Sequence, residues 1–543
     1  MNNSRDEFDA IVVGGGAAGC VAAARLVTDG GLRVLLLEGG HSHRNMLLDM
    51  PPGIFKMING SRFMDYHTTV PQEHLGGRAH DIPQGNVLGG GTSVNAQVYM
   101  RGRPSDYDTW DAILRGSNDG ADWSWPAVLR HMRGMEDNNR LLGDLHGVDG
   151  PLQVSDPGHV DPMSRWFVQA VQGLGEPFNP DFNGPSQRGV GFYQFMNRHG
   201  KRSSAAYAFL TPLEKDARLT VRLHARAENV LIENGRAVGV VWRDRSGQAH
   251  RSYARSEVIL AAGALVTPKL LMLSGVGPAD QLRAHGLSVL HDAPGAGENL
   301  VDHPEVPILA AANGPYGYHL QGEGWRMLWN GIQFKVFGTG RILSAGVEAG
   351  AFVNPDDPMA PPTIQAFCVP FVYLDRDLLK VMKPTHGMTI TTVVVKPRSR
   401  GFVRLRSANP SDKPLVSPNL LKDPEDLREM MAGQRFFLRA FATEPLRSRI
   451  DRVFRPDPAR LDDDALADHC RRMVKTNYHP AGTARMGADG DPMAVLDARM
   501  RVRGVEGLRV ADMSACPDIN AGNTTAPALM LGSRCAAFVL GQE

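Results

Sequence analysis

The sequence predicts an α/β protein: a discontinuous domain of alternating strands and helices, interrupted by an α+β domain that is built on an antiparallel sheet. Three observations lead to this prediction. An apolar run closes on a glycine-rich turn at residues 14–19, period-two runs such as residues 388–395 occupy the middle of the chain, and α/β character returns near residue 256. We place the first domain at residues 1–155, 205–305 and 470–543, and the inserted substrate-binding domain at residues 156–204 and 306–469.

Length and composition indicate a soluble globular protein and argue against several classes of partner. The chain has 543 residues, enough for two or more domains, and 42% of them are hydrophobic. Its 59 basic and 58 acidic side chains nearly cancel, which argues against an extended nucleic-acid surface. The five cysteines show no C-x-x-C spacing, so neither a disulfide framework nor a metal site is expected, and a cytoplasmic location fits best. The polar N-terminus and the lack of any apolar run of roughly 18 residues argue against a signal peptide and a transmembrane segment.

The first predicted element is a strand–turn–helix–strand unit near the N-terminus. The apolar run at residues 8–13 is followed by Gly14, Gly16 and Gly19, then by a helix-favouring stretch, and a second apolar run ends on Glu38. This is the fingerprint of a Rossmann-like dinucleotide site, in which the glycines allow a tight turn, the helix N-terminus faces a pyrophosphate and the acid accepts hydrogen bonds from a ribose diol. Taken alone, the unit also fits an NAD-dependent dehydrogenase or a turn that binds nothing.

A second glycine-rich loop follows at residues 85–108. Gly89, Gly90 and Gly91 leave the backbone without side chains, so that main-chain N–H groups can lie directly against a flat or anionic ligand. Asn95 supplies a planar amide four residues later. An isolated run of this kind fits a surface turn, but two such loops in one region indicate a ligand longer than a single nucleotide.

The middle of the chain is predicted to be rich in antiparallel strands. Residues 388–395 and 402–405 contain alternating and β-branched side chains. The proline-rich stretch 354–362 is expected to form an exposed loop. Residues 258–263 are predicted to form another strand of the α/β domain, which ends on glycine.

The C-terminal tail contains the side chains best suited to chemistry. A strand is predicted at residues 508–512, and a helix is predicted to begin near Thr524 or Thr525, either of which can cap it. Such a helix N-terminus presents free N–H groups and the positive end of a dipole, which stabilise negative charge on a ligand. His479 precedes a proline, and Asn523 precedes the helix. Taken alone, His479 fits a hydrogen-bonded structural histidine and Asn523 fits a cap or turn residue.

These motifs together resemble the glucose-methanol-choline (GMC) family of flavoprotein oxidoreductases, and the resemblance extends over nearly the whole chain. Residues 14–19 with Glu38 resemble the family's ADP-binding unit, residues 85–108 its first signature and residues 263–277 its second. Further segments that resemble the family are residues 297–303 and 396–401. The resemblance implies FAD as the cofactor. Together with Gly14, Gly16, Gly19 and Glu38, the residues it implies at the cofactor are Gly90, Gly91, Asn95, Ala96, Val230, Asp512, Asn523 and Thr524.

The resemblance also implies a reaction. Family members oxidise an alcohol by removing the hydroxyl proton and transferring a hydride from the carbinol carbon to N5 of the flavin. Here the proton is expected to go to His479, since a neutral imidazole accepts a proton near neutral pH, and Asn523 is expected to donate its amide N–H to the developing alkoxide. The expected substrate is an uncharged primary alcohol, aromatic or aliphatic, that gives an aldehyde, with electrons passed to oxygen or to a quinone-like acceptor.

One position in the first signature bears on how FAD is held. Some relatives carry a histidine immediately before the asparagine, and it links covalently to the flavin ring. This chain has Val94 there, and a valine cannot form that bond. The FAD is therefore expected to be bound non-covalently.

The substrate pocket and the reaction class are less constrained by the sequence. Phe367, Phe371 and Tyr373 are candidates for the pocket, although aromatic residues in such a run also fit the core of a strand. Three alternatives stay open: a hydroxynitrile lyase on the same scaffold, an NAD-dependent dehydrogenase and a flavin-binding protein without catalytic activity.

Overall fold

The computed structural model describes residues 6–117, 120–373 and 385–543. Its N-terminal unit has the predicted order: β1 (Glu7–Val13) leads through the glycine turn into α1 (Ala17–Thr28), and β2 (Val34–Glu38) follows. β1 and β2 pair in parallel, and every residue of β2 is buried. Strands that are covered on both faces favour such continuous aliphatic runs, which explains why β1 and β2 could be predicted from the sequence.

The first large sheet is mostly parallel. Its other strands are β10 (Leu219–Leu223), β11 (Arg226–Glu233), β12 (Arg236–Arg243), β13 (Ala249–Leu260) and β24 (Leu508–Val510). The strand order is β10-β2-β1-β13-β12-β11, and β24 pairs with the last part of β13. β10, β2, β1, β13 and β24 run in parallel, whereas β12 and β11 continue the sheet as antiparallel hairpins. The strands predicted at residues 258–263 and 508–512 are the end of β13 and β24.

The second large sheet is antiparallel. Its strands are β7 (Gly189–Phe192), β16 (Pro304–Ala312), β17 (Ala349–Val353), β18 (Ile364–Val369), β19 (Gly387–Val394), β22 (Ile450–Arg455) and β23 (Lys475–Thr476). The order is β22-β16-β19-β18-β17-β7, and β23 pairs with β16. β19 is the strand predicted at residues 388–395, and it is buried along its whole length. The proline-rich stretch 354–362 lies outside helices and strands, between β17 and β18.

The strand predicted at residues 402–405 lies outside the two large sheets. Within the part of the chain that the structure describes, β20 (Phe402–Arg404) pairs with β21 (Leu415–Ser417) in a separate two-stranded antiparallel ribbon. The turn that follows β20 folds the chain directly back on itself, so the strand finds its partner locally. The other short ribbons are formed by β3 (Met64–Thr68) with β4 (Asp81–Gly85), β5 (Glu136–Asn138) with β6 (Leu152–Val154), β8 (Asn197–Arg198) with β9 (Lys201–Arg202), and β14 (Val276–Gly277) with β15 (His291–Asp292).

Helices pack against both large sheets. Besides α1 they are α2 (Met46–Asp49), α3 (Ile54–Met57), α4 (Gly91–Val94), α5 (Pro104–Leu114), α6 (Trp125–Met135), α7 (Pro162–Gly173), α8 (Thr267–Leu273), α9 (Ala279–Ala284), α10 (Gly324–Ile332), α11 (Pro424–Phe441), α12 (Asp463–Met473) and α13 (Thr525–Val539). α13 packs extensively against α1, which joins the C-terminal tail to the N-terminal unit. Among the residues described, no helix is both long and apolar enough to cross a bilayer. The five cysteines are buried free thiols.

The predicted fold class is confirmed: a Rossmann-like α/β part is combined with an α+β part on an antiparallel sheet. Each large sheet has its own hydrophobic core of buried aliphatic and aromatic side chains. The boundaries assigned to the domains stay a prediction.

Candidate active site

A cavity of about 450 Å³ is lined by residues from both large sheets and from the C-terminal tail. Its size lies within the range of small-molecule sites, roughly 300–1,000 Å³. The cavity brings together most of the residues singled out in the sequence: Gly14, Gly16, Glu38, Gly90, Gly91, Asn95, Ala96, His479, Asp512, Asn523 and Thr524. These residues belong to segments that lie up to hundreds of positions apart in the chain, and the fold brings the segments together.

Two of the predicted cofactor residues, Gly19 and Val230, do not line the cavity. A Cβ on Gly19 would lie 1.9 Å from the carbonyl oxygen of Gly14, so this glycine permits α1 to pack against the turn. Val230 lies in β11, where its side chain is buried in the core of the first sheet and its N–H donates to Ser274 Oγ at 2.8 Å. The cofactor role that the resemblance implies for Val230 stays a prediction.

One end of the cavity is formed by the turn between β1 and α1. Gly14 has a φ of +104°, a conformation that favours glycine. The carboxylate of Glu38 accepts hydrogen bonds from the N–H groups of Gly15 at 2.8 Å and Gly40 at 2.6 Å, which holds it at the end of β2. Burial raises the pKa of Glu38. The turn and the N-terminus of α1 face the cavity with backbone rather than with side chains.

The second glycine loop closes against the first. A Cβ on Gly90 would lie 2.8 Å from the Cα of Gly16, so the two loops are in backbone contact. Gly91 and Gly263 line the cavity, and a Cβ on either would have no heavy atom within 4 Å. The cavity thus has walls of bare backbone with open space in front of them. The exposed backbone of these glycine loops and the N-terminus of α1 fit a flat ligand that carries a pyrophosphate, as FAD does.

The N-terminus of α13 forms another wall. Thr524 stands at the N-cap position, but its side chain makes no capping hydrogen bond. Instead, Thr525 Oγ1 accepts a hydrogen bond from Asn95 Nδ2 at 3.2 Å, and Asn95 Oδ1 accepts one from the N–H of Gln97 at 3.0 Å. The first signature and the C-terminal helix are therefore joined at the cavity, where the positive end of the helix dipole faces inward.

Asp512 connects two further segments at the cavity. Its Oδ2 accepts hydrogen bonds from the N–H of Gly263 at 2.8 Å and from Thr267 Oγ1 at 2.6 Å. Gly263 and Thr267 belong to the segment that resembles the second family signature, whereas Asp512 follows β24. The carboxylate therefore positions the start of α8 against the end of the parallel sheet.

His479 lies in the same cavity among polar side chains. Its backbone N–H donates to Asp302 Oδ1 at 3.0 Å, and its Nδ1 lies 2.9 Å from Nδ1 of His303. Its Nε2 lies 3.4 Å from Asn523 Nδ2. Gln365 Nε2 donates to Asn523 Oδ1 at 3.2 Å, and this bond turns the amide nitrogen of Asn523 towards His479.

The hydrogen bonds assign the tautomer of His479. His303 Nε2 lies 3.0 Å from the carbonyl oxygen of Val395, which only accepts, so Nε2 of His303 carries the hydrogen. Nδ1 of a neutral His303 must then accept, and Nδ1 of His479 must donate to it. The amide of Asn477, 3.5 Å from the same Nδ1, is compatible with this assignment when its oxygen faces the ring. The lone pair of His479 is therefore on Nε2, next to Asn523.

Both imidazoles are neutral at neutral pH. Burial lowers the pKa of His303 to about 4. Burial, followed by the neighbouring His303, lowers the pKa of His479 well below its usual range. Nε2 of His479 is thus an unprotonated acceptor beside an amide donor, an arrangement that can take a proton from a hydroxyl group and stabilise the oxygen left behind.

Several residues at this end of the cavity had no recognised role in the sequence. His303 lies in a segment that resembled the family, but no role followed from its position. Glu305 and Lys475 line the cavity, and no local pattern indicated them. Among the three aromatic candidates, Phe367 and Tyr373 line the cavity, whereas Phe371 packs edge-on against Phe55, with ring centres 4.8 Å apart.

Comparisons with known proteins agree with this geometry. Residues 8–305 and 397–532 match the sequence profiles of the GMC oxidoreductase family. The chain is 38% identical over 538 residues to an alcohol dehydrogenase [acceptor] of Pseudomonas putida, covering 98% of this chain and 96% of the relative. It is 35% identical over 550 residues to the mitochondrial choline dehydrogenase of Homo sapiens, covering 100% of this chain and 91% of the relative.

A solved structure extends the likeness to three dimensions. The crystal structure of pyridoxine 4-oxidase from Mesorbium loti superposes with a TM-score of 0.85 at 29% identity, covering 97% of this chain and 98% of the other. The two glycine loops, the acid at the end of β2 and the cavity between them supply what FAD requires, and family membership favours FAD over the NAD-dependent alternative. The chain therefore belongs to the GMC oxidoreductases, FAD-dependent enzymes that act on CH–OH groups.

Proposed function

We propose that this protein oxidises an uncharged primary alcohol, aromatic or aliphatic, to the aldehyde, with His479 as the base. The observation that carries the proposal is the contact between Nε2 of His479 and the amide of Asn523, 3.4 Å apart, inside the cavity. When bound, FAD supplies the acceptor, N5 of the flavin, for the hydride that leaves the carbinol carbon. The residues of this chain supply the proton acceptor and the positioning.

In the proposed reaction His479 Nε2 takes the hydroxyl proton. The hydrogen bond from its Nδ1–H to His303 keeps the lone pair on Nε2, and the low pKa keeps the ring unprotonated before the reaction. A positioned base of this kind contributes roughly 10²–10⁴-fold to the rate. Because the base is neutral, it becomes cationic as the alkoxide forms, and the two opposite charges stabilise each other.

Asn523 orients the alcohol and stabilises the alkoxide. An amide cannot act as a base, but its NH₂ group can donate to the substrate oxygen. When an alcohol binds, its hydroxyl group replaces the amide at the single lone pair of His479 Nε2, and Asn523 donates to the substrate oxygen instead. Gln365 fixes the amide through its hydrogen bond to Oδ1. The N-terminus of α13 follows directly after Asn523 and adds positive potential at the same place.

We further propose that FAD is held without a covalent bond. Val94 is the residue before Asn95 and lines the cavity, and a hydrocarbon side chain has no atom that can attack the flavin ring. The electrons then pass to oxygen or to a quinone-like acceptor.

Anaerobic mixing of the FAD-loaded enzyme with a panel of primary alcohols tests the proposal. We expect bleaching of the visible flavin absorbance in the wild type, and a decrease of at least about 10²-fold in the rate of bleaching for His479→Ala, because the proton has lost its acceptor. His285→Ala is the matched control, since this histidine does not line the cavity. Reoxidation by air, compared with a soluble quinone, then identifies the acceptor.

The same experiment separates the rival reactions. A hydroxynitrile lyase would cleave a cyanohydrin without bleaching its flavin. A near-normal rate of bleaching in His479→Ala would remove the proposed role of this histidine, and failure of every alcohol to bleach the wild type would remove the proposed reaction.

A further inference from the structure

A charged pair lies in the same cavity as His479, and the reaction proposed above does not use it. Glu305 in β16 and Lys475 in β23 stand directly opposite each other in the antiparallel ladder. Lys475 Nζ lies 3.2 Å from Glu305 Oε1, and the two side chains are only 10% and 6% exposed. Both residues line the cavity. The pair is therefore far less screened by water than an ion pair on the surface.

Two aromatic rings lie close to the Lys475 ammonium group. Nζ lies 5.2 Å from the ring centre of Tyr373 and 5.0 Å from that of Tyr478. It also donates a hydrogen bond to Tyr478 Oη at 3.2 Å. Aromatic rings combined with a carboxylate form the kind of cage that recognises ammonium ligands, quaternary ammonium groups included. In this protein the cation inside the cage belongs to the chain itself.

The two charged residues of this cage, Glu305 in β16 and Lys475 in β23, lie close in sequence to His303 and His479. Glu305 lies two residues after His303, and Lys475 lies four residues before His479. The backbone N–H of Asn477 donates to the carbonyl oxygen of His303 at 3.0 Å, which extends the ladder between the two segments. An alcohol whose hydroxyl group reaches His479 therefore occupies the same cavity as the cage.

We propose that Lys475 is a specificity residue: its ammonium group occupies the cage formed by Glu305, Tyr373 and Tyr478, so that the cavity accepts uncharged alcohols and rejects cationic ones. The inference rests on the proposed function, since it takes the cavity to be the alcohol site. A quaternary ammonium alcohol would meet a like charge and a carboxylate that already pairs with Lys475, and like charges inside a binding site discriminate strongly. An uncharged alcohol meets a pair whose charges cancel.

Two substrates of nearly equal shape test the proposal. Choline carries a trimethylammonium group, and its carbon isostere carries an uncharged tert-butyl group in the same place. The quantity measured is the ratio of kcat/KM for choline to kcat/KM for the isostere, in the FAD-loaded full-length enzyme. We expect the ratio to rise about 10- to 100-fold in Lys475→Ala, because the cage then offers both room and a carboxylate to the cation. Lys475→Arg keeps a cation in the cage and should keep the wild-type ratio.

Changes at Glu305 provide the reciprocal test. Adding Glu305→Gln to Lys475→Ala should abolish the gain for choline, because the attracting charge is removed. Glu305→Gln alone leaves the positive charge of Lys475 without this partner, so we expect gamma-hydroxybutyrate, an anionic alcohol, to improve about 10-fold relative to butanol. This second measurement tests whether the Glu305–Lys475 pair sets the charge preference of the cavity, even if Lys475→Ala does not fold.

The outcomes separate this inference from the proposed function. If Lys475→Ala oxidises the uncharged isostere but the ratio for choline does not change, the specificity role is overturned while the reaction stands. If Glu305→Gln leaves the preference for the anionic alcohol unchanged, the role is likewise overturned. Failure of the wild type to be reduced by any alcohol would instead contradict the proposed function.

Discussion

His303 determines which nitrogen of His479 carries a hydrogen, and this residue-level arrangement is open to test. Leucine at position 303 removes the acceptor for Nδ1–H of His479, so the ring loses the contact that keeps its lone pair on Nε2. We expect His303→Leu to lower the rate constant for flavin reduction by an alcohol about 10- to 100-fold, a part of what a positioned base contributes.

A conservative variant separates this positioning role from a merely structural one. His303→Asn keeps an acceptor oxygen near the place of Nδ1 and should stay within about threefold of the wild-type rate constant, because the hydrogen bond to His479 can still form. Anaerobic stopped-flow absorbance supplies the rate constants, and FAD content should be equal in all three proteins. Equal rates for His303→Leu and the wild type would contradict the role of His303.

At the scale of an element, the secondary structure that could be predicted correctly came from motifs that are contiguous in the sequence. β1, α1 and β2 could be predicted because an apolar run, a glycine turn and a closing acid follow one another within a few tens of residues. β20 was predicted as an antiparallel strand, but its pairing with β21 was not, because alternation identifies a strand but not its partner.

The glycine turn itself provides an element-level prediction with a matched control. A Cβ on Gly19 in α1 would lie 1.9 Å from the carbonyl oxygen of Gly14, whereas a Cβ on Gly134 in α6 would have no heavy atom within 4 Å. We expect Gly19→Ala to lower the free energy of unfolding by about 1–3 kcal/mol or more and to reduce FAD content. Gly134→Ala should be neutral or stabilising by up to about 1 kcal/mol. Denaturant titrations followed by tryptophan fluorescence measure both, and equal stability of the two variants would argue against the close packing.

At the scale of the whole molecule, the candidate site depends on contacts that the sequence does not display. His479 and Asn523 stood out because each belongs to a recognisable local motif. His303 and Lys475 did not, since their roles depend on the register between β16 and β23, which brings together segments more than 150 residues apart. Their pairing is a product of tertiary structure, and only the folded chain reveals it.

The cavity draws its walls from separate segments that lie between Val13 and Ala528, so occupancy by FAD should stabilise the molecule as a whole. A ligand that binds only the folded state adds RT ln(1 + [L]/Kd) to the free energy of unfolding, about 2.7 kcal/mol at a ligand concentration one hundred times Kd. Because Val94 offers no atom for a covalent bond, we expect acid precipitation to release all of the FAD into the supernatant, and the Tm of the refolded apoprotein to rise steadily with added FAD. Absorbance of the two fractions and thermal scans at several FAD concentrations measure these effects. A pellet that stays yellow would contradict non-covalent binding. A Tm that does not change with added FAD would contradict the idea that the cofactor joins these distant segments.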